Sequence, residues 1–236
     1  MIEYFRNKNI LVVVAHPDDE LLGQGATIHK LSNKYGCKCR AIILGEGLTS
    51  RSKERDREQW EQELKEHREC IHKAADIIGY DSVGIYDFPD NRFDSVDLLD
   101  IIKVVEKEKE EFQPEIIFTH HGGDLNIDHQ RTFEAVMTAT RPMKEEAVKT
   151  IITFETPSST EWQASTDPRQ SIPNLFIEVS EEDIQAKCDG MEAYKFEKRE
   201  WPHPRSIRAL KIRSQNWGAV IGTNLVEAFT IIREIA

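Results

Sequence analysis

Residues 10–20 read Ile10-Leu11-Val12-Val13-Val14-Ala15-His16-Pro17-Asp18-Asp19-Glu20. An unbroken apolar, mostly β-branched run of this length suits a strand buried on both faces of a parallel sheet. It stops at a loop that packs one imidazole and three carboxylates into five positions. Neighbouring acids repel one another and lose solvation when held together, so the loop calls for a cation. The bland alternative is that Asp18 or Asp19 caps a helix starting near Glu20, but one acid is enough for a cap.

After this loop, Glu20–Tyr35 carries Leu21, Leu22, Ile28 and Leu31 at helical spacing, with Gly36 to end the helix. Arg40–Leu44 reads as a second strand. Ser50–Ile78 reads as a long amphipathic helix with a polar, frayed start and a stripe of Trp60, Leu64, Ile71, Ala74 and Ile77. Val83–Tyr86 and Glu115–Thr119 read as strands, separated by a helix over Val96–Glu111 with Leu98, Leu99, Ile102 and Val105 inward. A helix over Asp128–Thr140 follows, then strands at Ile151–Phe154 and Leu175–Val179. Helices at Glu181–Phe196 and Ser206–Trp217 precede a last strand, Ala228–Ile232. This alternation predicts one α/β domain over 1–236, Rossmann-like, with a mostly parallel sheet and helices on both faces. Ligands of such sheets bind beyond the carboxyl ends of the strands, which directs attention to the loops 15–19, 45–53, 87–94, 120–129 and 155–173.

Composition narrows the function. The 236 residues hold 31 basic and 42 acidic side chains, a net charge of -11. Such a chain repels phosphate backbones and anionic lipid, so nucleic acid and membrane surfaces are poor partners. No apolar run nears the ~18 residues of a membrane span, and the charged Met1–Asn9 does not read as a signal peptide. Cys37, Cys39, Cys70 and Cys188 read as reduced thiols of a cytoplasmic protein rather than a disulfide framework. Oligomeric state stays open, a homo-oligomer included.

A second cluster reads His120-His121-Gly122-Gly123-Asp124-Leu125-Asn126-Ile127-Asp128-His129, again after a strand. Any one of these histidines alone is better read as a surface or packing residue. Three within ten residues, opposite the first cluster, point to a site. His16, Asp19 and His129 would supply three protein ligands and leave a fourth position for water, the layout of a catalytic zinc ion.

His-Pro-Asp-Asp-Glu after a first hydrophobic strand, with a later Asp-His opening a helix, resembles the LmbE-like, or PIG-L, deacetylases. The resemblance covers most of residues 8–140, with further matches at Gly45-Glu46-Gly47, Ala74–Gly79 and Phe88-Pro89-Asp90. It implies zinc-dependent hydrolysis of an N-acetyl amide on an amino sugar or sugar conjugate. By position it implies His16, Asp19 and His129 as zinc ligands and Asp18 as general base. The family's second motif often reads His-x-Asp-His, whose first histidine assists the intermediate; here that position is Asn126. Either Asn126 suffices, or His121 or His203 enters from another loop; His203 stands between two prolines in Trp201-Pro202-His203-Pro204-Arg205. Asp128 would orient such a histidine.

Candidate substrate contacts are Arg51 and Arg68, in or after the second loop, Asp90 after the third strand, and Trp162 in the hydroxyl-rich stretch 155–170. Their plainer readings are a charged helix face for Arg68, an Asx turn for Asp90 and a solvated loop around Trp162. Two other functions compete. A metal-dependent phosphohydrolase uses the same residue types, although no Gly-rich phosphate loop ending in Lys is present. A non-catalytic sugar-binding relative is the other, against which the intact His16, Asp18, Asp19 and His129 argue.

Overall fold

The run Ile10–Val14 lies wholly buried at the middle of a seven-stranded sheet in the computed structural model, which describes residues 2–235. Strand β1 (Asn9–Val14) is followed by α1 (Asp19–Leu22), α2 (Gly25–Tyr35), β2 (Lys38–Gly45), α3 (Glu61–Ile78), β3 (Ser82–Phe88), α4 (Leu98–Phe112) and β4 (Ile116–His120). Then come α5 (Ile127–Ala139), β5 (Thr150–Phe154), β6 (Leu175–Glu178), α6 (Glu181–Ala193), α7 (Ile207–Ile221) and β7 (Val226–Glu234). The strand order is β3-β2-β1-β4-β5-β7-β6. β1 pairs in parallel with β2 and β4, Leu11 standing beside Arg40 on one side and Ile117 on the other. The expected fold is the observed one, with one reversal: β7 runs antiparallel to both β5 and β6.

Side-chain alternation along β1 divides the core. Ile10, Val12 and Val14 pack under α2, α3 and α6, while Leu11 and Val13 pack under α4 and α5. The chain leaves β1 toward β2 on one side and enters β4 on the other, so a crevice opens between their carboxyl ends. His16 follows β1 and the His120–His129 cluster follows β4. The two clusters therefore face each other across this crevice.

Three helix expectations are corrected by tertiary contacts. The predicted helix Glu20–Tyr35 is broken at Gly23-Gln24. Gly23 sits so close to β5 that a Cβ there would lie 2.4 Å from the Phe154 ring and 2.8 Å from the Glu155 carbonyl. The free N–H groups opening α2 are satisfied from far away: Glu227 on β7 accepts from Ala26 (3.3 Å) and Thr27 (2.7 Å), and Lys187 neutralises it at 2.6 Å. The predicted helix Ser50–Ile78 begins only at Glu61, and Trp60 lies before it, donating to Ser52 Oγ at 2.7 Å. On α4, Leu99 points to solvent at 59 % exposure, because the inward stripe is Leu98, Ile101, Ile102 and Val105. All four cysteines are buried and unpaired.

Gly23→Ala tests the close approach. Helix propensity alone favours alanine, but the added methyl must displace a buried phenylalanine or a backbone carbonyl. The variant should lose about 1–3 kcal/mol, read as a lower urea midpoint at unchanged slope. An unchanged midpoint would show that β5 gives way freely.

Candidate metal centre and active-site cavity

The His16–Glu20 turn folds back on itself. His16 N–H donates to Asp19 Oδ2 at 2.9 Å, which swings the carboxylate toward the ring of its own histidine. His129, in the first turn of α5, comes across from the β4 side. His16 Nδ1 lies 3.3 Å from Asp19 Oδ2, His129 Nε2 lies 3.3 Å from the same oxygen, and the two ring nitrogens are 3.3 Å apart. A tetrahedral ion with bonds of about 2.0–2.1 Å sets its ligands about 3.3 Å apart. The three donor atoms form that triangle, so the residues fit a divalent ion of this size.

Behind each imidazole stands a carboxylate. His16 Nε2 meets Asp128 Oδ2 at 2.9 Å, and Asp128 is itself fixed by the Phe93 N–H at 2.8 Å. His129 Nδ1 faces Asp124 Oδ1 at 3.0 Å; Asp124 accepts from the Ser159 and Thr160 hydroxyls and from the Asn126 N–H. Such outer carboxylates fix the tautomer and raise the basicity of a metal-binding imidazole. Burial lowers the His129 pKa, but Asp19 and Asp124 outweigh it and lift the group to about 9. His16 follows the same balance, burial against Asp128 and Asp19, and stands well above the ordinary imidazole. Asp19, despite burial, is held well below the usual carboxylate range by the His129 charge and by hydrogen bonds from His129 and His16.

His120 does not join the donor set. Its Nε2 accepts the Ala15 N–H at 2.9 Å and its Nδ1 donates to Thr156 Oγ1 at 3.0 Å, so both nitrogens are occupied in the neutral ring. Burial, helped by the His129 charge, pushes it down to about 3. It stacks flat on His129 with centroids 3.9 Å apart. His121 turns away and donates to the Arg169 carbonyl at 2.6 Å.

Asp18 occupies the position before α1 yet makes no capping bond, so the capping alternative fails for this residue. Its backbone lies in the left-handed region at φ 96°, a strained setting for a residue with a side chain. The carboxylate, only 2 % exposed, accepts from Arg205 Nη1 at 2.9 Å. Burial raises its pKa well above the usual range; Arg205 opposes this, while Glu197, Asp19 and Glu20 add to it. Asp18 stands beside the donor triangle on the wall of a cavity of about 270 Å³.

Arg51, Asp90 and Asn126 also line this cavity. Arg51 pairs with Glu197 at 2.6 Å, and Asp90 accepts the Ser50 N–H at 3.1 Å while standing 3.5 Å from His16 Nε2. Asn126 is committed to structure: its Oδ1 caps α5 by accepting from the Asp128 N–H (2.8 Å), and its Nδ2 donates to Asn91 (2.9 Å). Asp128 orients His16 rather than a histidine at position 126. Four expected site residues lie outside the cavity lining: Asp128, which stands behind His16, and Arg68, Trp162 and His203. Arg68 pairs with Asp87 at 2.6 Å on the outer face of α3. Trp162 is half exposed and takes the His203 ring edge-on at 5.8 Å. His203 is held there by its own turn, Nδ1 accepting the Arg205 N–H at 3.1 Å.

The sequence reading missed Asp124, Glu197, Arg199 and Arg205. Asp124 lies inside the second motif, where the histidines carry the stronger signal. Arg205 stood two residues from the histidine that was singled out, in the same proline-braced segment.

A family model described as PIG-L, GlcNAc-PI de-N-acetylase, matches residues 11–140. The chain is 29 % identical over 195 residues to a protein of Escherichia coli named "Uncharacterized deacetylase YaiS", covering 80 % of this chain and 92 % of that one. Among solved structures it resembles the N,N'-diacetylchitobiose deacetylase of Pyrococcus horikoshii at TM-score 0.74 and 16 % identity, covering 96 % of this chain and 84 % of the other. The 4-carboxy-2-hydroxymuconate hydratase GalB of Pseudomonas putida is equally close in shape, at TM-score 0.75 and 18 % identity over 97 % and 98 % of the two chains. The fold by itself thus serves more than one reaction. With the family model spanning more than half of its length, from β1 to the end of α5, this chain belongs to the PIG-L family of N-deacetylases.

Proposed function

We propose that the chain hydrolyses the N-acetyl amide of an amino sugar or sugar conjugate, releasing acetate and a free amine, with a zinc ion held by His16, Asp19 and His129. The observation that carries this reading is the 3.3 Å triangle of two imidazoles and one carboxylate with an unligated, buried Asp18 beside it. Two nitrogens and one oxygen suit zinc, and a bound ion of this kind lowers the pKa of water and polarises an amide carbonyl.

The chain's own groups supply the rest. Asp18, as the carboxylate, takes the proton of the attacking water and returns it to the leaving amine; burial, which raises its pKa, makes it the stronger base. Arg205 holds the Asp18 carboxylate in place from across the cavity. Asp128 and Asp124 keep the His16 and His129 lone pairs aimed at the ion. The hydroxyls of Ser50, Ser158 and Ser159 and the carboxylate of Asp90 on the cavity wall suit a polyhydroxylated substrate. Incubating the zinc-loaded protein with a panel of N-acetylated sugars and detecting acetate tests the activity; release from none of them overturns it.

Ion binding should release protons, because His16 and His129 carry raised pKa values in the ion-free protein and must become neutral to bind. At pH 7 zinc should displace protons from these rings, at least the one on His129, and affinity should rise with pH through the His129 value of about 9. Calorimetry in buffers of different ionisation enthalpy counts the released protons directly. A pH-independent affinity would remove these rings from the ligand set. Asp124→Asn should weaken zinc binding about 10–100-fold.

Asp18→Asn separates binding from chemistry. The variant keeps shape and the Arg205 contact in part, yet accepts no proton. It should retain zinc and lose turnover by ~10²–10⁴-fold. Loss of the ion instead would make Asp18 a ligand.

A further inference from the structure

Three guanidiniums reach the cavity wall, and two of them are neutralised. Arg51 Nη2 donates to Glu197 Oε1 at 2.6 Å, and Arg205 Nη1 bridges Asp18 Oδ2 (2.9 Å) and Glu197 Oε2 (3.0 Å). Arg199 is the third, and among the described residues no carboxylate oxygen lies within 4.0 Å of it. Within this arginine cluster three fixed cations therefore meet only two carboxylates, Asp18 and Glu197, in direct ion pairs. One positive charge is left over.

Its orientation is fixed. Arg199 Nη1 donates to the carbonyls of Phe196 (2.7 Å) and Lys198 (2.9 Å), which uses both hydrogens of that nitrogen. The remaining edge of the guanidinium, Nε and Nη2, meets no acceptor among the described residues, and neither nitrogen is sealed away from solvent. That edge presents parallel N–H groups in the spacing that grips carboxylate or phosphate through two hydrogen bonds. Burial, and then the charge of Arg205, press down on the Arg199 pKa; Glu197 and Asp18 oppose this, but they are paired with Arg51 and Arg205 and the net direction stays downward. An incoming anion compensates the remaining charge.

We infer that Arg199 is a specificity residue whose free Nε/Nη2 edge binds an oxyanion, a carboxylate or phosphate, carried by the N-acetylated substrate. The inference rests on the deacetylase reading for the reaction, but not for the binding. An anionic N-acetyl sugar is then preferred over its neutral parent, because the neutral sugar leaves the guanidinium uncompensated. Each charge-assisted bidentate contact of this kind is worth about 10- to 100-fold in affinity.

The test compares N-acetylglucosamine with its 6-phosphate, its 1-phosphate and N-acetylmuramic acid, which places a carboxylate on the sugar. Binding to the ion-free protein is measured by calorimetry, and kcat and KM on the zinc-loaded enzyme. At least one anionic sugar should bind about 10- to 100-fold more tightly than the neutral one, with the advantage appearing in KM. Arg199→Gln should bring that ratio close to one, and Arg199→Lys, which keeps the charge without the fork, should keep only part of it. The lysine variant covers a glutamine variant that does not fold. Whichever acid wins identifies the oxyanion. An equal affinity for neutral and anionic sugars in the wild-type chain overturns the inference while leaving the deacetylase reading intact. So does an Arg199→Gln loss that falls on kcat equally for all substrates, or Arg199-dependent binding of acetate alone as tight as of any anionic sugar. Arg199-dependent binding without acetate release from any substrate upholds the inference and removes the deacetylase reading.

Discussion

One carboxylate oxygen organises the site. Asp19 Oδ2 accepts the His16 N–H and lies within 3.4 Å of ring nitrogens of His16, His129 and His120. In a buried setting such a gathering of dipoles and lone pairs is costly without a cation, and costly again if the cation leaves without protons taking its place. The surrounding structure reads as the means of holding this arrangement. Asp128 is hydrogen-bonded to the His16 ring, Asp124 stands 3.0 Å from His129 Nδ1, and His120, fixed by a backbone N–H and a threonine, stacks on His129. The parallel sheet contributes by putting the ends of β1 and β4 side by side, so that donors over a hundred residues apart in sequence converge.

The parts of this that could be read in the sequence are those whose signals are local. The apolar run Ile10–Val14 marks its strand because burial on both faces admits few other residues. The two loop clusters mark the site because acids and histidines rarely crowd together after a strand for any other reason. What could not be read depends on contacts with distant segments. The break in α1–α2 follows from Phe154 pressing on Gly23, and the start of α2 is capped by a glutamate two hundred residues on. Strand direction leaves no local mark either, so the reversal of β7 is absent from its own residues. Asp124, though within the second motif, gains its meaning only when His129 turns toward it.

The C-terminal wall shows the same limit at the chemical level. The segment 197–205 has neither helical nor strand periodicity, and a histidine between prolines stands out in it more than an arginine does. Yet the histidine spends one nitrogen on its own turn and its ring on Trp162, whereas Arg205 reaches Asp18. A rigid turn fixes whichever side chain points inward, and sequence alone does not say which that is.

The same wall bears on the Asn126 departure. An imidazole at that position would carry its charge only below its own pKa, so its contribution would fade as pH rises. Asn126 instead spends its side chain on the cap of α5 and on Asn91. The permanently charged cations lining this cavity are Arg51, Arg199 and Arg205, which keep their charge where an imidazole loses it. Charge of this kind sets the field in the cavity without being switched by pH. In the proposed reaction the acid–base work falls to Asp18, so that the two jobs, holding charge and moving protons, are assigned to different side chains.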